Sequence, residues 1–126
     1  MVNKDAPDLG FIPQGGRMLD FVAVVEIGLA LPGVTEGASY GARALKLKGK
    51  LLACVPVNKS AEADSLVISI HPERRTELLR DRPETFYVTD HYVPYPKVLV
   101  RLAAISRADL RSTLAEAYDF VMTQKR

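Results

Sequence analysis

The stretch Ala44-Leu45-Lys46-Leu47-Lys48-Gly49-Lys50-Leu51-Leu52-Ala53-Cys54-Val55 decides the fold. Its first half alternates apolar and basic residues, the repeat of a strand with one face in a core and the other in water. Gly49 interrupts, and an apolar run of similar length returns. Two such runs about a glycine read as a β-hairpin. Strand alternation puts Leu45 and Leu47 on one face and Lys46 and Lys48 on the other.

Toward the C-terminus, the polar loop Asn58 to Asp64 leads into a strand, Ser65-Leu66-Val67-Ile68-Ser69-Ile70. Pro72 suits the first position of a short helix from Glu73 to about Arg80, with Glu73 and Glu77 near its positive end. Thr85 to Thr89 reads as a short strand. His91 to Pro96, with two prolines and two tyrosines, reads as a loop or distorted edge. Lys97 to Ile105 is the strongest strand pattern in the chain. Ser106, three residues before Asp109, caps a terminal helix whose apolar stripe is Leu110, Leu114, Ala117 and Val121.

Toward the N-terminus, Ser39-Tyr40 reads as a strand start. Met18, Phe21, Val22, Val25 and Leu29 recur at helical spacing, predicting a helix over about Arg17 to Ala30 that Pro32-Gly33 stops. Residues 1–16, punctuated by Gly and Pro, form an N-terminal extension, and Leu9, Phe11 and Ile12 are expected to dock on the domain. Residues 17–126 then make a single domain. Helices at both ends of a run of strands imply an α+β fold, an antiparallel sheet with the N- and C-terminal helices packed on one face.

Composition fits that reading. A chain of 126 residues with 48% apolar and 25% charged residues suits one ordinary globular core rather than disorder. Cys54 is the only cysteine, so no intramolecular disulfide forms, and its apolar setting marks it as a small buried hydrophobe. The first sixteen residues lack an apolar signal core. The longest apolar stretch, Phe21 to Leu31, is broken by Glu26 and too short to span a bilayer. The expected location is the cytoplasm.

Net charge is only +2, but it is unevenly spread. Gly37 to Ala61 holds Arg43, Lys46, Lys48, Lys50 and Lys59 with no acid, and His91 to Ala108 holds Lys97, Arg101 and Arg107 with none. Such asymmetry suits an anionic partner. With both helices on the Leu45/Val98 side, the Lys46/Arg101 side would be open and positive. Arg43, Lys46, Lys48, Lys50, Lys97 and Arg101 are therefore candidate phosphate contacts to DNA. The same charges also serve as ordinary solubilising groups on the wet face of an antiparallel sheet. Phe86, Tyr87, Tyr92 and Tyr95, near basic residues, add the possibility of stacking on single-stranded bases.

Catalytic chemistry finds little support. No Gly-x-Ser-x-Gly is present, His71 before Pro72 reads as a turn or cap, and Asp90 and His91 point apart in extended backbone. Metal and nucleotide signatures are absent, since there is no Cys-x-x-Cys, His-x-x-x-His or phosphate-binding glycine loop. No cofactor or metal is expected. His91 with Tyr92 and Tyr40 nevertheless suits the rim of a small ligand pocket or a protein-interaction site.

Two blocks carry a family likeness. Leu31-Pro32-Gly33-Val34-Thr35-Glu36-Gly37, Ser39-Tyr40-Gly41 and Leu45-Lys46-Leu47-Lys48-Gly49-Lys50-Leu51 make the first. Pro83-Glu84-Thr85-Phe86-Tyr87-Val88-Thr89-Asp90-His91-Tyr92, continuing through Tyr95-Pro96 into Val98 to Ala103, makes the second. From Arg17 onward the chain resembles the MmcQ/YjbR family. The resemblance implies a double-wing fold similar to bacterial frataxin homologues, together with that family's DNA-binding label, which is a fold-level analogy. Iron binding of the frataxin kind would need a carboxylate ridge, and the first helix offers only Asp20 and Glu26. Arg43-Ala44-Leu45 stands where the family pattern has Pro-Ala-Phe, and Lys97 where an aromatic is usual. The expected function is thus non-catalytic DNA binding through the basic sheet face and hairpin, the alternative being a protein-interaction or small-ligand module at His91, Tyr92 and Tyr40.

Overall fold

The computed structural model describes residues 19–124. The extension 1–16, the docking of Leu9, Phe11 and Ile12, and the helix start expected at Arg17 and Met18 lie outside the described residues. The elements in order are α1 (Phe21–Leu29), β1 (Val34–Ser39), β2 (Ala42–Leu47), β3 (Lys50–Cys54), β4 (Ser65–Ser69), α2 (Pro72–Asp81), β5 (Phe86–Tyr87), β6 (Lys97–Arg101) and α3 (Arg107–Thr123). Each helix starts on a side chain that accepts an otherwise unpaired backbone N–H. Asp20 Oδ1 accepts from Ala23 at 3.1 Å, His71 Nδ1 from Glu73 at 3.1 Å and Ser106 Oγ from Asp109 at 3.0 Å.

The strands form one six-stranded sheet in the order β1-β2-β3-β4-β6-β5, every neighbouring pair antiparallel. The two hairpins that link β1 to β3 close on Tyr40-Gly41 and Lys48-Gly49, and all four of these residues have positive φ. Leu45 faces Ala53 while Lys46 faces Leu51, so Leu52 is the extra residue of a bulge on β3. That bulge puts Leu52 and Ala53 together in the main core.

The main core lies between the sheet and the helices. Leu45, Leu47, Leu66, Ile68, Val98 and Val100 meet Val24 and Ile27 of α1 and the stripe Leu110, Leu114, Ala117 and Val121 of α3. This is the expected α+β architecture. Four local expectations are corrected. α1 buries Ala23, Val24, Ile27 and Gly28, whereas Val22 and Leu29 of the predicted stripe are exposed. Ser39 ends a strand rather than starting one, with Tyr40 in the turn after it. The strand expected over Thr85 to Thr89 is only Phe86–Tyr87. The strand from Lys97 stops at Arg101, and a 3-10 turn takes Leu102–Ala104.

Candidate functional site

The sheet face away from the helices is not bare. Ala44, Cys54, Val67 and Leu99 form a second, smaller apolar cluster under Tyr92, flanked by Leu51, Tyr87 and Val88. Two loops, 55–64 and 88–96, lie over this face and are joined by Ser60 Oγ and Thr89 Oγ1 at 2.7 Å. A cleft of about 370 Å³ opens there. The sheet contributes Ser39, Leu51, Cys54, Val67 and Lys97, and the segment 55–58, the turn residue Tyr40 and the loop residues His91, Tyr92 and Tyr95 complete it.

A single side chain of α2 fixes the loop wall. The Arg75 guanidinium donates to the carbonyls of Tyr95 at 2.9 Å, Lys97 at 3.0 Å and Val93 at 3.1 Å, with a longer contact to Tyr92 at 3.5 Å. These bonds hold Tyr92 down on the sheet, where burial pushes its phenol up and the Asn58 backbone pulls the other way. His91 stands edge-on to Tyr92, ring centroids 4.7 Å apart. Tyr40 is 93% exposed at the mouth, and Val57 and Tyr95 are also exposed. Cys54 sits within the cleft lining with its thiol pushed up by burial, while the charges of Lys97 and Lys46 pull it back. Lys97 is half-buried, and desolvation holds its ammonium below the ordinary lysine value.

The basic candidates do not share a face. Lys46, Lys97 and Arg101 alternate onto the cleft side of the sheet, opposite the core residues Leu45, Val98 and Val100. Arg43 belongs to the helix side, with its guanidinium 5.1 Å from the Phe21 ring and 2.7 Å from Glu36. Lys50 donates to the Gln124 carbonyl at 2.6 Å, past the end of α3. Lys48 lies in the turn rather than the strand, so it does not continue the face of Lys46. Arg101 is engaged on every side. It grips Glu62 through two contacts of 2.8 Å, donates to Pro83 O at 3.0 Å and lies 4.3 Å over Tyr87.

A family model described as YjbR matches residues 29–120. The chain belongs to the YjbR family. Every cleft residue and every basic candidate falls inside the matched YjbR segment. Uncharacterized proteins of Mycobacterium tuberculosis, strains H37Rv and CDC 1551, are 44% identical over 41 residues, 32% of each chain. A Mycobacterium bovis protein matches to the same extent, so the chain spans about a third of the length of these curated relatives. The crystal structure of Deinococcus radiodurans protein DR2400, of the domain family DUF419, superposes with a TM-score of 0.68 at 19% identity. That superposition covers 85% of this chain and 81% of the other, and it establishes likeness of fold.

On this YjbR scaffold, His71 is a helix cap and its ring packs edge-on against Phe120 at 5.8 Å. Asp20 caps α1 and Glu26 pairs with Arg107 at 2.9 Å. Among the described residues no three His, Cys, Asp or Glu side chains gather as a metal site, and no helix is long and apolar enough to cross a membrane. One contributor, Arg75, escaped the sequence reading. Arg75 has no motif, because its partners are backbone carbonyls. Lys97, expected as a phosphate contact on an open sheet face, lines the cleft half-buried, in keeping with its place at the start of a strand buried on both sides.

Proposed function

We propose that this protein binds a small organic ligand in the cleft between the 55–64 and 88–96 loops, and acts by binding rather than catalysis. One observation carries the reading. Tyr40, His91 and Tyr92, from segments far apart in sequence, line one concavity of about 370 Å³, a size ordinary for ligand sites. The mouth supports it. Tyr40 is held at φ 51° with its ring in solvent, and unfavourable backbone with an exposed aromatic suits a group awaiting a partner.

The test is a screen of small aromatic compounds followed by backbone amide shifts in two-dimensional NMR. Hits should move amides of Tyr40, Cys54 to Asn58 and His91 to Tyr95, and lose their effect in Tyr40→Ser/His91→Ala. Hits that map elsewhere, or none at millimolar concentration, would refute the reading.

DNA binding is a second reading, favoured by a different observation. Lys46, Lys48 and Lys97 are paired with no carboxylate among the described residues. Fluorescence anisotropy of a labelled duplex and single strand tests it, with a Lys46/Lys48/Lys97 alanine triple variant as control. Binding that survives the triple variant unchanged, or no binding at low salt, removes it.

A further inference from the structure

We infer that the ligand of this cleft is an organic anion, its carboxylate or phosphate meeting Lys97 and its planar apolar body lying against Tyr40, His91 and Tyr95. This rests on the reading of the cleft as a ligand site and names the chemistry it selects.

The charge inventory of the cleft is one-sided. Its lining contains Lys97 and His91 but no Asp or Glu. Glu62, in the 55–64 loop over this face, is committed to Arg101, and Glu36 pairs with Arg43 on the helix side of the sheet. Asp90 is exposed in the loop and is not part of the lining. The groups that bear on Lys97 from the neighbouring strands are the Cys54 thiol and, beyond it, the second cation Lys46. A half-buried ammonium without a counter-charge is an unfavourable arrangement, and an incoming anion is what relieves it. A cationic ligand would add a like charge instead.

Hydrogen-bonding capacity points the same way. The loop wall would ordinarily offer carbonyl acceptors, but those of Val93, Tyr95 and Lys97 are taken by Arg75. The lining also presents donors, namely Lys97 Nζ, the His91 ring and the Tyr40 hydroxyl. Donors lining one cleft suit an oxyanion, and a charge-assisted bond from Lys97 to it is among the stronger polar contacts. Apart from Ser39 and Asn58, the remainder of the lining is apolar or aromatic, from Leu51, Cys54 and Val67 to the exposed rings of Tyr40 and Tyr95. Such a surface suits a flat hydrocarbon body.

The experiment uses three probes of one shape and different charge: naphthalene-2-carboxylate, its neutral carboxamide and its cationic carboxamidine. Each is titrated into the full chain while cleft amides are followed by NMR. The carboxylate should bind more tightly than the carboxamide by about tenfold, the effect of one charge-assisted hydrogen bond, and the carboxamidine least. Lys97→Met keeps the aliphatic stem and should abolish the preference, while Lys97→Arg should retain it, which separates lost charge from lost folding. Carboxylate and carboxamide binding equally, or a preference that persists in Lys97→Met, overturns the anion inference and leaves the cleft reading intact. No cleft amide moving with any of the three overturns both.

Discussion

Tyr40 and Lys48 occupy the same place in two consecutive hairpins, the first residue of a two-residue turn completed by glycine, with φ of 51° and 54°. Left-handed backbone crowds a Cβ against the following carbonyl, and asparagine tolerates it where lysine and tyrosine do not. Lys48→Asn is therefore expected to stabilise the protein by about 1 kcal/mol, read as a higher urea midpoint with unchanged slope. Tyr40→Asn should stabilise similarly while weakening ligand capture at the cleft, because the strained residue is also the exposed ring at the mouth. Gly28 shows the opposite balance. In an open helix Gly→Ala gains roughly 1 kcal/mol, but here a Cβ would fall on Leu45 Cδ1, and Leu45 is wholly buried. Overpacking of about 1–3 kcal/mol wins, so Gly28→Ala should lower the midpoint. Gly28→Ala combined with Leu45→Val should recover part of the loss, since the pair shares one space.

Among the three α-helices, α2 has the least core of its own, burying only Leu78, yet Arg75 makes it the clasp of the cleft wall. Arg75→Ala leaves those carbonyls to water and is expected to cost about 1–2 kcal/mol, discounted because the bonds are partly exposed. The sharper expectation is local: amide exchange should quicken across Asp90 to Lys97 more than in β4 or α3. Arg75→Lys should restore little, because one ammonium cannot span the carbonyls a planar fork reaches. Uniform quickening throughout the chain would argue against a clasp. What the sequence made legible follows from how each element is buried. α3 and the alternating half of the hairpin, Leu45 to Lys48, were readable because their apolar side chains face the core and their charged ones do not, so the pattern carries a period. α1 hid its orientation because Phe21-Val22-Ala23-Val24-Val25 is apolar all round. The buried side was then chosen by size, the small Ala23 and Gly28 allowing close approach to the sheet. β1, Val34 to Ser39, has almost no apolar alternation because it is an edge strand with an exposed run, and pairing with β2 holds it in place. In the cleft, Tyr40, His91 and Tyr92 were nameable from type and loop setting. The Arg75 clasp was not, because carbonyls leave no mark on sequence.

At the scale of the whole molecule, 17 basic residues face 15 acidic ones, and most arginines spend their charge internally. Arg43, Arg74, Arg80, Arg82, Arg101 and Arg107 each hold a carboxylate, three of these pairs tying elements together across the fold. Of the six cations suggested by the sequence, Arg43 and Arg101 hold carboxylates and Lys50 a carbonyl, which leaves Lys46, Lys48 and Lys97 without such partners among the described residues. This division sets a bound on the nucleic-acid reading. Each phosphate neutralised releases counterions and contributes about −0.9 to the slope of log affinity against log salt, so three lysines give a slope no steeper than about −3. The six cations first suggested by the sequence would together give about −5. Anisotropy of a labelled duplex titrated at several salt concentrations distinguishes the two. A slope near −5 would mean that Arg43 and Arg101 release Glu36 and Glu62 to bind phosphate, and Glu62→Gln should then tighten binding by freeing Arg101. A shallow slope with Glu62→Gln neutral means that the ion pairs stay closed and that the surface offers a duplex only its lysines.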